Sequence, residues 1–105
     1  MSIGCNSDIK FQNDNPASIL WQLYAGLHPY EAMMGYVIKA SDGSVIVIDG
    51  GNKVDAIQLS ELIKELGGVV NAWFITHPHS DHIDALVEIV NNHDDIWIRQ
   101  IYAAC

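Results

Sequence analysis

With 105 residues, half of them hydrophobic, the chain has material for one domain and its core. Aromatic residues are present, charged residues make up only 17%, and no low-complexity run occurs, which excludes a disordered chain. Thirteen acidic residues against five basic ones give a formal net charge of −8. That charge repels phosphate backbones and anionic lipid, so neither a nucleic-acid partner nor a membrane surface is expected.

The amino-terminal segment, residues 1–10, lacks the charged and then apolar order of a secretory signal, and no stretch approaches the ~18 apolar residues of a membrane span. Cys5 and Cys105 have no metal-binding or redox spacing. They are expected as reduced thiols of a cytoplasmic protein.

Ser18 to Tyr24 (SILWQLY) is rich in large apolar side chains and predicts a strand. Ala25 to Met33, with Gly26 and Pro29, predicts a loop. Two β-branched runs follow, Gly35 to Ala40 and Ser44 to Asp49, joined through Asp42-Gly43. Both of those residues tolerate positive φ, so the pair predicts a tight hairpin. Gly50-Gly51 ends the strand, and Asn52 with Asp55 three residues later is a candidate helix cap. Leu59, Leu62, Ile63 and Leu66 then mark one helical face, closed by Gly67-Gly68.

Val69 to Thr76 (VVNAWFIT) predicts a buried strand. Ile83, Leu86, Val87 and Val90 repeat the helical spacing, Asn91-Asn92 end it, and Ile96 to Ala103 predicts a last strand. The expected fold class is α/β: a mixed sheet with a hairpin and then β-α-β-α-β, whose crossovers demand parallel neighbours. Trp73, Trp97 and Met33-Met34 are expected in packing, Asp94-Asp95 in a turn, and His93 on the solvated surface.

In such sheets ligands collect beyond the carboxyl ends of the strands. At that place the sequence reads THPHSDHID, residues 76–84, with three histidines and an aspartate at His77, His79, Asp81 and His82. In an extended loop, side chains at i and i+2 point the same way, so His77 and His79 can converge on one point. Asp81 and His82, at the turn into the helix, can reach a second point nearby. Neutral imidazole and carboxylate are donors that suit zinc, manganese or iron.

This pattern resembles the HxHxDH signature of the metallo-β-lactamase superfamily. The order of elements from about Ser18 to Ala103 is similar to the amino-terminal half of that family's αββα fold. The run VIVIDGG, residues 45–51, resembles its motif of a hydrophobic strand followed by Asp and Gly. The resemblance implies that His77 and His79 bind a first metal and that Asp81 and His82 bind a second. It further implies that Asp49 supports the metal loop from behind, and that the metal is zinc first, with manganese or iron as alternatives. The implied activity is metal-dependent hydrolysis of an ester, thioester, lactam, lactone or phosphodiester in a small-molecule substrate. Its nucleophile would be a metal-bridging water that Asp81 helps to orient.

Two features depart from the family. Ala85 stands where the family often has Gly, a minor change. The further His for each metal and the bridging Asp, which the family's second half supplies, have no match after His82. Residues 1–105 are therefore read as the amino-terminal part of such a domain, expected alone to bind metal weakly and to hydrolyse little. The second reading is a non-catalytic binding or assembly module that keeps the metal loop. A sheet lacking the family's second layer is expected to associate with a second copy. The redox di-iron variant of the fold is disfavoured, because it carries Glu where this chain has His79.

Overall fold

The hairpin forms where the Asp-Gly pair places it. The computed structural model describes residues 18–23 and 34–103. Its first strands are β1 (Ile19–Gln22), β2 (Gly35–Lys39) and β3 (Val45–Asp49), with β1 and β3 both antiparallel to β2. Only Gly43 of the turn takes positive φ, at 91°. The Gly43 N–H donates to the Ala40 carbonyl at 2.9 Å, and Asp42 accepts the Ser44 N–H through Oδ1, also at 2.9 Å. Asp42 thus serves through its carboxylate rather than by a left-handed backbone, and the loop is a type I turn closed by a glycine bulge.

After β3 a 3₁₀ turn (Lys53–Asp55) leads into α1 (Ala56–Glu65). The Asn52 N–H donates to Asp55 Oδ2 at 2.8 Å, as the predicted cap requires. Leu59 and Ile63 are fully buried, and Leu62 and Leu66 pack against the core from its margin. At the other end Gly68 N–H reaches the Ile63 carbonyl and Gly67 N–H that of Lys64, at 2.9 and 3.1 Å. With φ values of 113° and 78° at Gly67 and Gly68, this is a Schellman ending that only glycine enters without strain.

The two later runs each split. Val69–Val70 forms β4 and Ala72–Ile75 forms β5; Trp97–Ile98 forms β6 and Ile101–Ala103 forms β7. The cause is Asn71. Its N–H donates to the Val45 carbonyl, and its Oδ1 accepts the Val45 N–H, each at 2.8 Å. The side chain replaces a backbone partner at the start of β3, so the chain changes sheets there. β4 and β6 pair in parallel as a small second sheet. The main sheet has the order β1-β2-β3-β5-β7, with β3, β5 and β7 parallel as the crossovers demand.

Helix α2 (Ser80–Asn92) connects β5 to β6 and, with α1, covers one sheet face. Val37, Val45, Val47 and Trp73 point into that layer and are buried with Leu59, Ile63, Ala85, Leu86 and Ile89. Each fully buried side chain of this size stabilises the fold by about 1.5–3 kcal/mol. Two expected core positions of α2 are corrected: Val87 and Val90 are 47% and 59% exposed. The helix presents Ala85, Leu86 and Ile89 instead, a stripe rotated away from the apolar spacing of the sequence. Trp97 is likewise 68% exposed rather than packed, with the Arg99 guanidinium 5.9 Å from its ring centre. It lies on a two-residue strand whose neighbours Ile96 and Ile98 take the inward positions. Met34 is 40% exposed, not packed. Asp94 and Asp95 form the expected turn, and His93, at the end of α2, is half-buried.

The outer sheet face carries Leu20, Ile38, Ile46 and Ala72 in one cross-strand row, and Tyr36, Ile48, Phe74 and Tyr102 in the next. Phe74 and Tyr102 stack at 5.0 Å. No helix of the described residues covers these rows, and none is long and apolar enough to cross a membrane. Tyr24, Cys5, Cys105 and the expected loop from Ala25 to Met33 lie outside the described residues.

Candidate metal centre

The site begins at the end of β3, where the apolar run stops at Asp49. Asp49 has φ 58°, the single positive value at a non-glycine residue among the described ones. Aspartate enters this left-handed region at lower cost than most residues. The turn directs the Asp49 carboxylate, 1% exposed, toward the end of the neighbouring strand β5. There the Thr76 N–H donates to Asp49 Oδ1 at 2.8 Å and the Thr76 hydroxyl to Oδ2 at 2.7 Å. From behind, the Trp73 indole N–H donates to the Asp49 carbonyl at 2.6 Å. Both ends of Asp49 are thereby tied to β5, and the carboxylate fixes the point at which the histidine loop leaves the sheet.

The loop is short. His79 is the cap of α2 with extended backbone, and its carbonyl accepts the His82 and Ile83 N–H groups at 2.9 and 3.1 Å. Asp81 and His82 therefore sit in the first helical turn, where the positive end of the helix dipole favours the Asp81 carboxylate. The turn is anchored from outside: the Asp81 carbonyl accepts the Met34 N–H, and the Gly51 carbonyl accepts the Ala85 N–H, each at 3.1 Å.

His82 stands at the centre. Its Nδ1 is 3.0 Å from Asp49 Oδ2, its Nε2 is 3.5 Å from Asp81 Oδ2, and its side chain is only 12% exposed. The His77 ring lies 5.0 Å from the His82 ring and 6.2 Å from that of His79, centre to centre. Loop and helix start thus gather three imidazoles and a carboxylate, with the nearest ring pair His77–His82 rather than the i, i+2 pair. His93 is at the far end of α2, 3.9 Å from Asp95.

The donor set suits a divalent cation in its chemistry. Two ligands on a tetrahedral ion with bonds of ~2.0–2.1 Å stand about 3.4 Å apart. The His82–Asp81 separation of 3.5 Å matches that value. Among the described residues, no group of three or more His, Cys, Asp or Glu is gathered closely enough to hold an ion.

The sequence profile of the metallo-beta-lactamase superfamily matches residues 35–102, from β2 to β7. The chain belongs to that superfamily. It is also similar to the zinc phosphodiesterase ELAC protein 2 homolog of Caenorhabditis elegans, with 34% identity over 65 residues. That alignment covers 58% of the chain and 8% of the relative, so the chain spans a small part of that protein's length.

Thr76 is the residue that sequence reasoning left as a strand end. Its signal was its position, directly before His77 and one strand over from Asp49, with a hydroxyl able to reach both.

Proposed function

We propose that this chain carries the first ligand loop of a metal-dependent hydrolase of the metallo-beta-lactamase superfamily, with zinc as its metal. The observation that supports this reading most is the joint placement of His77, His79, Asp81 and His82 at one strand-to-helix junction, above the buried Asp49. His77 and His79 would hold one ion, and Asp81 and His82 a second. A bound divalent cation supplies a water of lowered pKa and stabilises negative charge on the attacked group. Asp81, 27% exposed and in the first turn of α2, is placed where its carboxylate would accept a hydrogen bond from such a water and orient it. Asp49 and Thr76 do not touch substrate; they hold the loop.

Membership in the superfamily leaves the scissile bond open among esters, thioesters, lactams, lactones and phosphodiesters. The relative named as a zinc phosphodiesterase favours the phosphodiester. A small phosphodiester agrees better with a net charge of −8 than a long nucleic-acid substrate does. The test is hydrolysis of a chromogenic phosphodiester by the full natural polypeptide in the presence of zinc. His77→Ala or His79→Ala is expected to abolish turnover, and His93→Ala to leave it within about twofold, because His93 lies at the far end of α2, away from the site. Full activity in the double variant His77→Ala, His79→Ala would end the hydrolase reading.

The outer sheet face supports a second reading, an assembly module. Its apolar rows, Leu20 to Ala72 and Tyr36 to Tyr102, have no covering layer among the described residues. Retained zinc binding with no hydrolysis of any of the five bond types would favour that reading.

A further inference from the structure

Thr76 occupies a position from which the proton placement of two site histidines follows by elimination. Its hydroxyl has one proton and two lone pairs. Asp49, as a carboxylate, only accepts, and the Asp49 Oδ2–Thr76 Oγ1 contact is 2.7 Å. The hydroxyl proton is therefore committed to Asp49, and Thr76 Oγ1 offers its neighbours acceptance alone. Two imidazole nitrogens face it, His77 Nδ1 and His82 Nδ1, each at 3.2 Å. A nitrogen facing an oxygen that only accepts must itself carry the proton. His82 Nδ1 faces a second acceptor as well, Asp49 Oδ2 at 3.0 Å. The reverse tautomer would set its lone pair against both oxygens. The competing contact of His82 Nε2 with Asp81 is longer, at 3.5 Å, and Asp81 is more exposed than Asp49.

We propose that Thr76 is a positioning residue: with Asp49 it holds the neutral rings of His77 and His82 protonated on Nδ1, leaving both Nε2 atoms as free lone-pair donors. The free neutral histidine side chain prefers the proton on Nε2, the nitrogen that would then be closed to a cation. Hydrogen-bonded partners of the other ring nitrogen set the tautomer of metal-binding histidines in general. Here one hydroxyl faces two rings at once, setting that of His77 alone and that of His82 together with Asp49, because the strand end at Thr76 lies between them. The value of this arrangement for a metal rests on the function proposed above, but the proton placement does not.

The test uses the metal-free chain at a pH where the histidines are neutral, with long-range ¹H–¹⁵N correlation spectra reporting which ring nitrogen carries the proton. In the unaltered protein His77 and His82 are expected as Nδ1–H tautomers. Thr76→Val removes the hydroxyl at nearly constant shape and is expected to return His77 to the Nε2–H form. His82, still facing Asp49, keeps its proton on Nδ1 in that variant. Thr76→Ser restores the pattern of the unaltered protein at both rings. An Nε2–H form at either ring in the unaltered protein overturns the proposal, as does an unchanged His77 in Thr76→Val. If Thr76→Val does not fold, the unaltered protein and Thr76→Ser still decide the assignment. Because no metal or substrate is added, loss of the tautomer pattern and loss of the hydrolase reading are separate results.

Discussion

Removing the Asp49 carboxylate measures how firmly the histidine loop is tied to the sheet. In Asp49→Ala two hydrogen bonds from Thr76 and the 3.0 Å contact with His82 disappear, and the Asp49 side chain that made them is 2% exposed. Hydrogen bonds to a charged acceptor contribute about 1.5–3 kcal/mol each. Alanine at φ 58° adds about 1 kcal/mol of left-handed strain. Against these stands the recovered cost of burying a carboxylate, several kcal/mol in the absence of partners. The net expected loss is about 3 kcal/mol, within the range for breaking a buried polar network. Asp49→Asn keeps the side-chain volume, tolerates the positive φ and retains one oxygen for the Thr76 N–H. It is expected to lose about half as much, roughly 1–2 kcal/mol. Urea unfolding of the metal-free protein, followed by the fluorescence of buried Trp73, gives both values. An Asp49→Ala protein within about 0.5 kcal/mol of the original would refute the claim that this carboxylate secures the loop.

Gly50→Ala is expected to destabilise by about 1–3 kcal/mol in the same assay, since overpacking a full core strains its neighbours. A Cβ there would lie 3.1 Å from Leu59 Cδ2 and 3.3 Å from Trp73 Cζ2. The Lys64 ammonium hydrogen-bonds Asp95 at 3.0 Å and holds its carboxyl below the ordinary aspartate value of 3.8. The depressed value in the folded state means that this pair stabilises above the ordinary value and ceases to do so as pH falls through the folded one. Lys64→Ala should therefore raise the Asp95 midpoint in an NMR titration, and an unmoved midpoint would contradict the assignment. Light scattering is expected to give a mass of at least a dimer, through the apolar outer face. A monomer at high concentration would contradict that expectation.

Where one residue type answers one backbone demand, the sequence was readable. Gly67-Gly68 ended α1 in the predicted place, and the Asn52–Asp55 pair capped the 3₁₀ turn that leads into it. The hairpin, both crossovers and the position of the histidine loop after a parallel strand followed from periodicity and turn chemistry. Asn71 shows why the two later strands were read too long. An apolar run pairs equally well with either sheet, and only the amide of Asn71, bonded to Val45 at a separation of 26 residues, decides where the chain changes partners. The exposure of Val87 and Val90 has another origin: the stripe of α2 that meets the sheet runs through Ala85, Leu86 and Ile89, rotated from the apolar spacing of the sequence. At the site, the residue types announced themselves, while the hydroxyl of Thr76 did not. Its importance lies in three contacts, to Asp49, His77 and His82, that no spacing in the sequence encodes.

The central claim is that this junction is built to receive a divalent cation. The measurement that tests it most directly is a zinc titration of the protein observed through its imidazole ¹⁵N resonances. The account predicts site-specific changes at His77, His79 and His82, with Nε2 the perturbed nitrogen at His77 and His82, and none at His93. Binding should be weak where only two donors serve each ion, because catalytic zinc is typically held by three protein ligands. Zinc that leaves the three motif histidines unchanged, or that shifts His93 as strongly as His82, would contradict it.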